Sequence, residues 1–257
     1  MGILKNLFGN IVNKITGKPK DKTAAIVLCA GSGKRMGSDT KKQFMEIGCK
    51  PIIYYAIKAF EDSSVDEIVI VTGEEDIDYV KKEIVERYGF TKISCIVAGG
   101  KERYNSVFNG LKAVELNNPE ENLYVLIHDG ARPFVDNDII SRAIKAVKEH
   151  GTAVVGMPVK DTIKVVDAND FVVDTPNRST LWQIQTPQCF DLKLIYDAYS
   201  KLIEDEETGR LNGINVTDDA MVVEKYTSKN VKLVKGSYEN IKITTPEDMS
   251  VAEALLK

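Results

Sequence analysis

Ala24-Ala25-Ile26-Val27-Leu28-Cys29-Ala30 runs straight into Gly31-Ser32-Gly33-Lys34-Arg35-Met36-Gly37, and Lys41-Lys42-Gln43 follows closely. The apolar run has the length and composition of a buried strand. It empties into glycines and then into basic residues. Glycines let backbone N–H groups approach phosphate oxygens, and Arg and Lys supply the opposing charge, so this loop suits a polyphosphate. Three patterns compete for it. A P-loop fails twice, because Leu28 stands where its first Gly belongs and Arg35 follows Gly33-Lys34. A dinucleotide fingerprint fails at its third Gly, which is Met36 here. The pattern G-x-G-x-R-M, completed by a Lys a few residues on, is met at Gly31, Gly33, Arg35, Met36 and Lys42. An ordinary βα turn with solvated basic residues is the plain alternative.

Working outward, strand and helix patterns alternate from Thr23 onward. Apolar runs at Ala24–Ala30, Glu67–Val71, Ile93–Val97, Tyr124–His128 and Ala153–Val159 predict buried strands. Ile52–Phe60, Ile77–Arg87, Ser106–Val114 and Ile139–Glu149 have helical periodicity. This spacing predicts βαβ units and a mostly parallel sheet. Ligands bind such sheets beyond the carboxyl ends of the strands. The Gly31–Arg35 loop and the turn Asp129-Gly130-Ala131-Arg132-Pro133 both lie just past strand ends, so they are expected to face one crevice. Thr162–Val166 and Phe171–Asp174, joined by Asp167-Ala168-Asn169-Asp170, read as an inserted hairpin. A hairpin alone is marginal in water, so it should pack on the domain or on a second subunit. Glu204–Asn212 reads as a polar surface loop.

The bulk properties set limits. The chain has 257 residues, 43% hydrophobic and 28% charged, enough for one large α/β domain or two small ones. A net charge of −4 gives no global attraction to nucleic acid, so any phosphate binding must be local. Cys29, Cys49, Cys95 and Cys189 are scattered without metal-ligand spacing, and the reading is a reducing, cytoplasmic setting. Two histidines, His128 and His150, exclude a His-rich metal site. At the N-terminus Ile3, Leu4, Leu7, Phe8, Ile11, Val12 and Ile15 recur at helical spacing among lysines. This basic amphipathic extension, residues 1–22, is too short and too charged to span a membrane. It reads as a segment for a membrane surface, for a partner protein, or for packing on its own domain.

Further motifs follow in order: Gly99-Gly100-Lys101-Glu102-Arg103 with Ser106; His128-Asp129-Gly130-Ala131-Arg132-Pro133; Val159-Lys160-Asp161-Thr162; Arg178 with Leu181-Trp182 and Gln185-Thr186-Pro187-Gln188; Thr217-Asp218-Asp219-Ala220; and Asn240-Ile241-Lys242-Ile243-Thr244-Thr245-Pro246-Glu247-Asp248. The G-x-G-x-R-M loop is that of sugar-nucleotide pyrophosphorylases and nucleotidyltransferases. With these motifs, in this order, the chain from Thr23 to its C-terminus resembles the 2-C-methyl-D-erythritol 4-phosphate cytidylyltransferases. The nearest related group is the ribitol-5-phosphate cytidylyltransferases, which favour Ser-Val-Arg-Pro after the Asp and Tyr-x-Gly-Gln-Thr-Pro-Gln near the arm. Gly130-Ala131-Arg132-Pro133 and Leu181-Trp182-Gln183-Ile184-Gln185 depart from both, which favours the methylerythritol enzymes. The resemblance implies an α/β fold: a Rossmann-like nucleotidyltransferase domain over 23–257, with a mostly parallel sheet and an inserted β-hairpin arm at about 160–180.

The implied reaction joins a polyol phosphate to CTP and releases pyrophosphate. The nucleophile is a phosphate oxygen already ionised near neutral pH, so neither a protein nucleophile nor a general base is needed. The task is positioning and charge neutralisation. By resemblance Arg35, Lys42 and Lys242 are the catalytic cations. Ala30, Gly31, Ser32 and Gly33 cradle the triphosphate, and Gly99, Gly100, Arg103 and Ser106 form the nucleoside pocket. Ser106 reads equally as a helix N-cap. Asp129 is the expected Mg²⁺ ligand and, with Arg132, Thr162, Arg178 and Thr217, a substrate contact. Asp218 and Asp219 contact substrate or cap the next helix, and His128 reads as a structural residue at a strand end. The arm of such enzymes interlocks with a second subunit, which implies a homodimer whose sites share Thr162 and Arg178. A scaffold that keeps the fold without chemistry would be expected to lose Arg35, Lys42, Asp129 or Lys242, and all four are present.

Overall fold

The computed structural model describes residues 21–31, 40–118, 122–211 and 215–256. The N-terminal extension and loop residues 32–39, with Ser32, Gly33 and Arg35, lie outside the described residues. The chain runs β1 (Lys22–Leu28), β2 (Glu46–Ile47), β3 (Lys50–Pro51), α1 (Ile52–Asp62), β4 (Glu67–Thr72), α2 (Ile77–Tyr79), β5 (Ile93–Ala98) and α3 (Arg103–Asn117). It continues through β6 (Leu123–Asp129), α4 (Asn137–His150), β7 (Thr152–Pro158), β8 (Val165–Val166), β9 (Val172–Asp174), β10 (Trp182–Asp191), α5 (Leu192–Glu207), α6 (Asp219–Tyr226), β11 (Leu233–Lys235) and α7 (Pro246–Leu255).

Seven strands form one sheet in the order β11-β7-β10-β6-β1-β4-β5. β1 pairs in parallel with β4 and β6, and β4 pairs in parallel with β5. Only β10 runs against its neighbours, β6 and β7. The period of two along β1 sorts its side chains to opposite faces. Ala25 and Val27 join Ile53, Ile57 and Phe60 of α1 and Ile140 and Ile144 of α4 in one buried cluster. Ala24 and Ile26 join Val107 and Leu111 of α3 and Ile195, Ala198 and Tyr199 of α5 in the other. Burial on both faces is why these strands read as unbroken apolar runs. A Cβ on Gly110 of α3 would meet Ile26 Cγ2 at 2.6 Å, so glycine there lets the helix lie close on the sheet.

The predicted strands and helices all appear, with ends shifted by a few residues. α4 shows the local causes: Asp136 accepts the Ile139 N–H at 2.7 Å to start it, and Gly151 at φ 77° ends it in the left-handed region. The helix expected over Ile77–Arg87 begins as α2 and then widens into a π-helical stretch, Val80–Glu86. Glu204–Glu207, read as loop, belong to α5, whose buried Leu202 carries the apolar stripe to that end. The segment around Lys242 forms no strand; before it Asn240 Nδ2 donates to the Thr186 carbonyl of β10 at 2.9 Å, and after it the Ile243 N–H donates to the Ala131 carbonyl at 2.9 Å. The hairpin β8–β9 stands as a separate two-stranded ladder. Its turn is set by Asp167, whose Oδ1 accepts the N–H groups of Asn169 and Phe171, and by Asp170 at φ 64°. Ile163, Val165, Val166, Phe171, Val172 and Val173 on it are all exposed.

Candidate active site

β1 and β6 lie side by side with Leu28 opposite Asp129, so both chains leave the sheet at the same edge. β5 ends nearby, with the Gly99 N–H donating to the Thr72 carbonyl at the end of β4 at 2.7 Å. A cavity of about 380 Å³ opens there. The first loop contributes Ala30 and Gly31, and the short 3₁₀ turn Lys42–Phe44 contributes Lys42 and Gln43. The β5–α3 connection contributes Gly100, Lys101 and Glu102, and α3 itself Arg103 and Ser106. Asp129 and Ala131 follow β6, and Lys242 arrives from the C-terminal segment.

Gln43 was given no role by the sequence, yet it is almost fully buried. Its Nε2 donates to the Cys29 carbonyl at 2.6 Å and the Gly31 carbonyl at 3.2 Å, which ties down the start of the glycine loop. The lysine beside it, Lys42, donates from Nζ to the Ile243 carbonyl at 3.2 Å, which ties it to the segment that carries Lys242, and both lysines line the cavity. Gly99 sits where a Cβ would lie 2.5 Å from Ala30 Cβ and 2.9 Å from Ser106 Oγ. Ser106 is not the N-cap of α3. Glu102 is, in a reciprocal box with Asn105, because the backbone turns helical at Arg103. The Ser106 hydroxyl instead accepts the Gly100 N–H at 3.0 Å and lies 3.2 Å from the Glu102 carbonyl. It therefore shapes the Gly99-Gly100 edge.

Asp129 is the electrostatic centre. Lys242 Nζ is 2.7 Å from its Oδ2, Arg103 Nε 3.5 Å from its Oδ1, and Arg132 Nε 3.8 Å from its Oδ2. Burial alone would raise its pKa, but Arg103, Lys242 and Arg132 outweigh burial and hold the carboxyl far below the usual range. Its backbone is fixed as well. The Asp129 N–H donates to Thr186 Oγ1 at 3.1 Å, and that hydroxyl lies 3.0 Å from His128 Nδ1. His128 Nε2 is 3.1 Å from the Arg132 carbonyl. A carbonyl only accepts, so Nε2 carries the proton and Nδ1 accepts from Thr186. His128 is fully buried, and burial pushes its pKa down to about 4. It is a neutral brace between the two ends of the Asp129–Arg132 turn.

Arg103 is turned toward carboxylates: its Nη1 and Nη2 each donate to Asp219 at 2.8 Å. Tyr199 donates to the same carboxylate at 2.5 Å. Asp218, not Asp219, caps α6, accepting the Met221 N–H at 2.9 Å. Arg132 is not among the lining residues, and its Nη1 donates to the Asn240 carbonyl at 2.8 Å. Thr162, Arg178 and Thr217 are exposed and do not line the cavity. Arg178 Nη1 donates to the Lys160 carbonyl at 2.7 Å at the root of the arm. Among the described residues no three His, Cys, Asp or Glu side chains cluster as a metal site. A lone carboxylate does suit Mg²⁺, which takes one or two carboxylates together with phosphate oxygens and water. Among the described residues, no helix is long and apolar enough to cross a membrane.

The sequence profile of the 2-C-methyl-D-erythritol 4-phosphate cytidylyltransferases matches residues 23–257. The chain belongs to this family. The 2-C-methyl-D-erythritol 4-phosphate cytidylyltransferase of Lachnospira eligens is 51% identical over 234 residues, spanning 91% of this chain and 98% of that protein. That of Alkaliphilus oremlandii is 47% identical over 237 residues, spanning 92% and 95%. Among solved structures, the 4-diphosphocytidyl-2C-methyl-D-erythritol synthase of Anaerococcus prevotii superposes with a TM-score of 0.78 at 35% identity, covering 92% of this chain and 96% of that one. The match to this cytidylyltransferase family begins at residue 23, the second residue of β1.

Proposed function

We propose that the cavity at the ends of β1, β5 and β6 is where this cytidylyltransferase transfers the cytidylyl group of CTP to 2-C-methyl-D-erythritol 4-phosphate, a step of isoprenoid precursor synthesis. The observation that carries the site is the meeting of Lys42, Lys242, Arg103 and Asp129 with the Gly31 and Gly100 loops in one cavity. A phosphate oxygen of the polyol phosphate attacks the α-phosphorus of CTP. The bond to the β-phosphate breaks, and pyrophosphate leaves. Ala30 and Gly31, with Ser32 and Gly33, offer backbone N–H groups to the triphosphate. Lys42 and Lys242, with Arg35, neutralise the charge that grows on the α-phosphate. Gly99, Gly100 and Ser106 present a backbone edge to the base. Asp129 is the residue to hold Mg²⁺, which would supply further neutralisation of the triphosphate.

The arm supports a homodimer. A two-stranded ladder with Ile163, Val165, Val166, Phe171, Val172 and Val173 exposed lacks a core of its own. Thr162 and Arg178 at its two ends then belong to the neighbouring subunit's polyol-phosphate pocket, and Arg132 and Thr217 to that of their own subunit. Pyrophosphate release tests the reading, with CTP and, in turn, 2-C-methyl-D-erythritol 4-phosphate, ribitol 5-phosphate and glycerol 3-phosphate, with and without Mg²⁺. The expected result is the highest kcat/KM for the methylerythritol phosphate and no turnover in chelator. A higher kcat/KM for ribitol 5-phosphate would overturn the substrate.

A further inference from the structure

One buried charged cluster beside the cavity has no part in the chemistry above. Asp219 is the first residue of α6, where a carboxylate would ordinarily cap the helix, but Asp218 does that. Asp219 turns inward instead and is fully buried. Both of its oxygens accept from Arg103, through Nη1 and Nη2 at 2.8 Å each, and Oδ1 also accepts the Tyr199 hydroxyl at 2.5 Å. Tyr199 is fully buried too. A two-pronged guanidinium–carboxylate pair fixes the plane of the Arg as a single contact cannot. With both Nη groups so engaged, Arg103 faces Asp129 through Nε at 3.5 Å, beyond good hydrogen-bond range, while Lys242 sits at 2.7 Å on the other oxygen. Take Asp219 away, and the nearest carboxylate for those two Nη groups is Asp129 itself. Arg103 would then close on Asp129 and compete with Lys242 for it.

We propose that Asp219 and Tyr199 are positioning residues for cytidylyl transfer: they hold Arg103 off Asp129, and so leave Asp129 and Lys242 set for the reacting phosphates. The proposal rests on the functional reading given above. It also assigns Arg103 a task other than touching the base, because reaching a nucleotide would abandon a buried charge.

The test uses the full-length protein and the variants Tyr199→Phe, Asp219→Asn and Asp129→Asn, alone and combined. Steady-state kcat, KM for both substrates and Tm are measured, with kinetics run well below each Tm. Asp219→Asn should lower kcat about 10- to 100-fold and Tyr199→Phe about 3- to 10-fold, while KM for CTP moves less than about threefold. In the Asp129→Asn background, neither change should lower kcat by more than about twofold further, because residues acting through one group are not additive. If Asp219→Asn does not fold, Tyr199→Phe, which removes a single oxygen, carries both measurements. A lowered Tm with unchanged kcat would overturn the proposal, leaving the cluster a packing feature. Losses that multiply in full on the Asp129→Asn background would overturn it equally. A wild-type protein that releases no pyrophosphate from CTP would instead remove the functional reading beneath it.

Discussion

His128 makes this protein sensitive to mild acid in a calculable way. The ring is fully buried, with both nitrogens in hydrogen-bond contact, to Thr186 and to the Arg132 carbonyl. Its folded pKa lies at about 4, against 6.5 for a free side chain. Above pH 6.5 the ring is neutral in both states and contributes nothing pH-dependent. As pH falls from 6.5 toward 4, the unfolded chain takes up a proton that the folded chain does not, and stability drops. At about 1.4 kcal/mol per unit of pKa difference the loss reaches about 3 kcal/mol at pH 4, and then levels off. That is a large part of the stability of an ordinary domain. The assay is denaturant unfolding of wild type and His128→Gln from pH 7.5 to 4, which cancels the carboxylates common to both. Wild type should lead at pH 7.5, where the variant loses two hydrogen bonds and the edge contact with Phe60. The lead should shrink by about 2–3 kcal/mol by pH 4.5. A gap that stays constant within about 0.5 kcal/mol across the range would refute the reasoning, as would a His128 ring resonance that titrates near 6.5.

Gly99→Ala puts a Cβ 2.5 Å from Ala30 Cβ; kcat/KM for CTP should fall at least about tenfold, and a near-normal value would remove Gly99 from the nucleotide edge. Lys42→Ala should depress kcat by about a hundredfold or more with a smaller effect on CTP binding; initial rates against CTP decide it. Lys42→Ala and Arg178→Ala subunits, each nearly inactive, should recover up to half of normal activity per mixed dimer on co-expression. One site then carries both lesions and the other neither; no recovery, or a monomer by light scattering, would end the shared-site reading. Deleting residues 1–16 should leave turnover intact, since the family match begins at residue 23; a truncated protein with normal circular dichroism and no turnover would contradict this.

The half of the molecule around β1 was legible because burial on both faces makes parallel strands continuous apolar runs. Asp129 was legible for the same reason: it is the polar residue that ends such a run. β10 was not. It carries Gln183, Gln185, Thr186, Pro187 and Gln188, which no apolar count selects. Those polar groups find partners only in the fold, as Gln185 Nε2 does at the Ser237 carbonyl and Gln188 Nε2 at Asp218. The inward role of Asp219 stayed hidden because its partner Arg103 is more than a hundred residues away in sequence, and Tyr199 stayed hidden because its partner is Asp219. No local spacing separates an acid that caps a helix from the next one that turns inward. Gln43 was the one case with a usable signal, an amide directly after the lysine that completes the loop pattern.

The way the arm joins the sheet has a bearing on how this chain can change over generations. It leaves after Pro158 and returns at Trp182, and those two residues face each other across the β7–β10 ladder. The Val159 N–H bonds the Leu181 carbonyl just beyond them. The gap to be bridged is therefore one strand spacing, about 4.8 Å, whatever lies between. Lengthening, shortening or rewriting the insert leaves the closure of the sheet untouched, because the ladder alone sets its endpoints. The body of the sheet and the arm can thus drift at different rates, because a change of length or sequence within the insert leaves the strand ends that carry the cavity where they are.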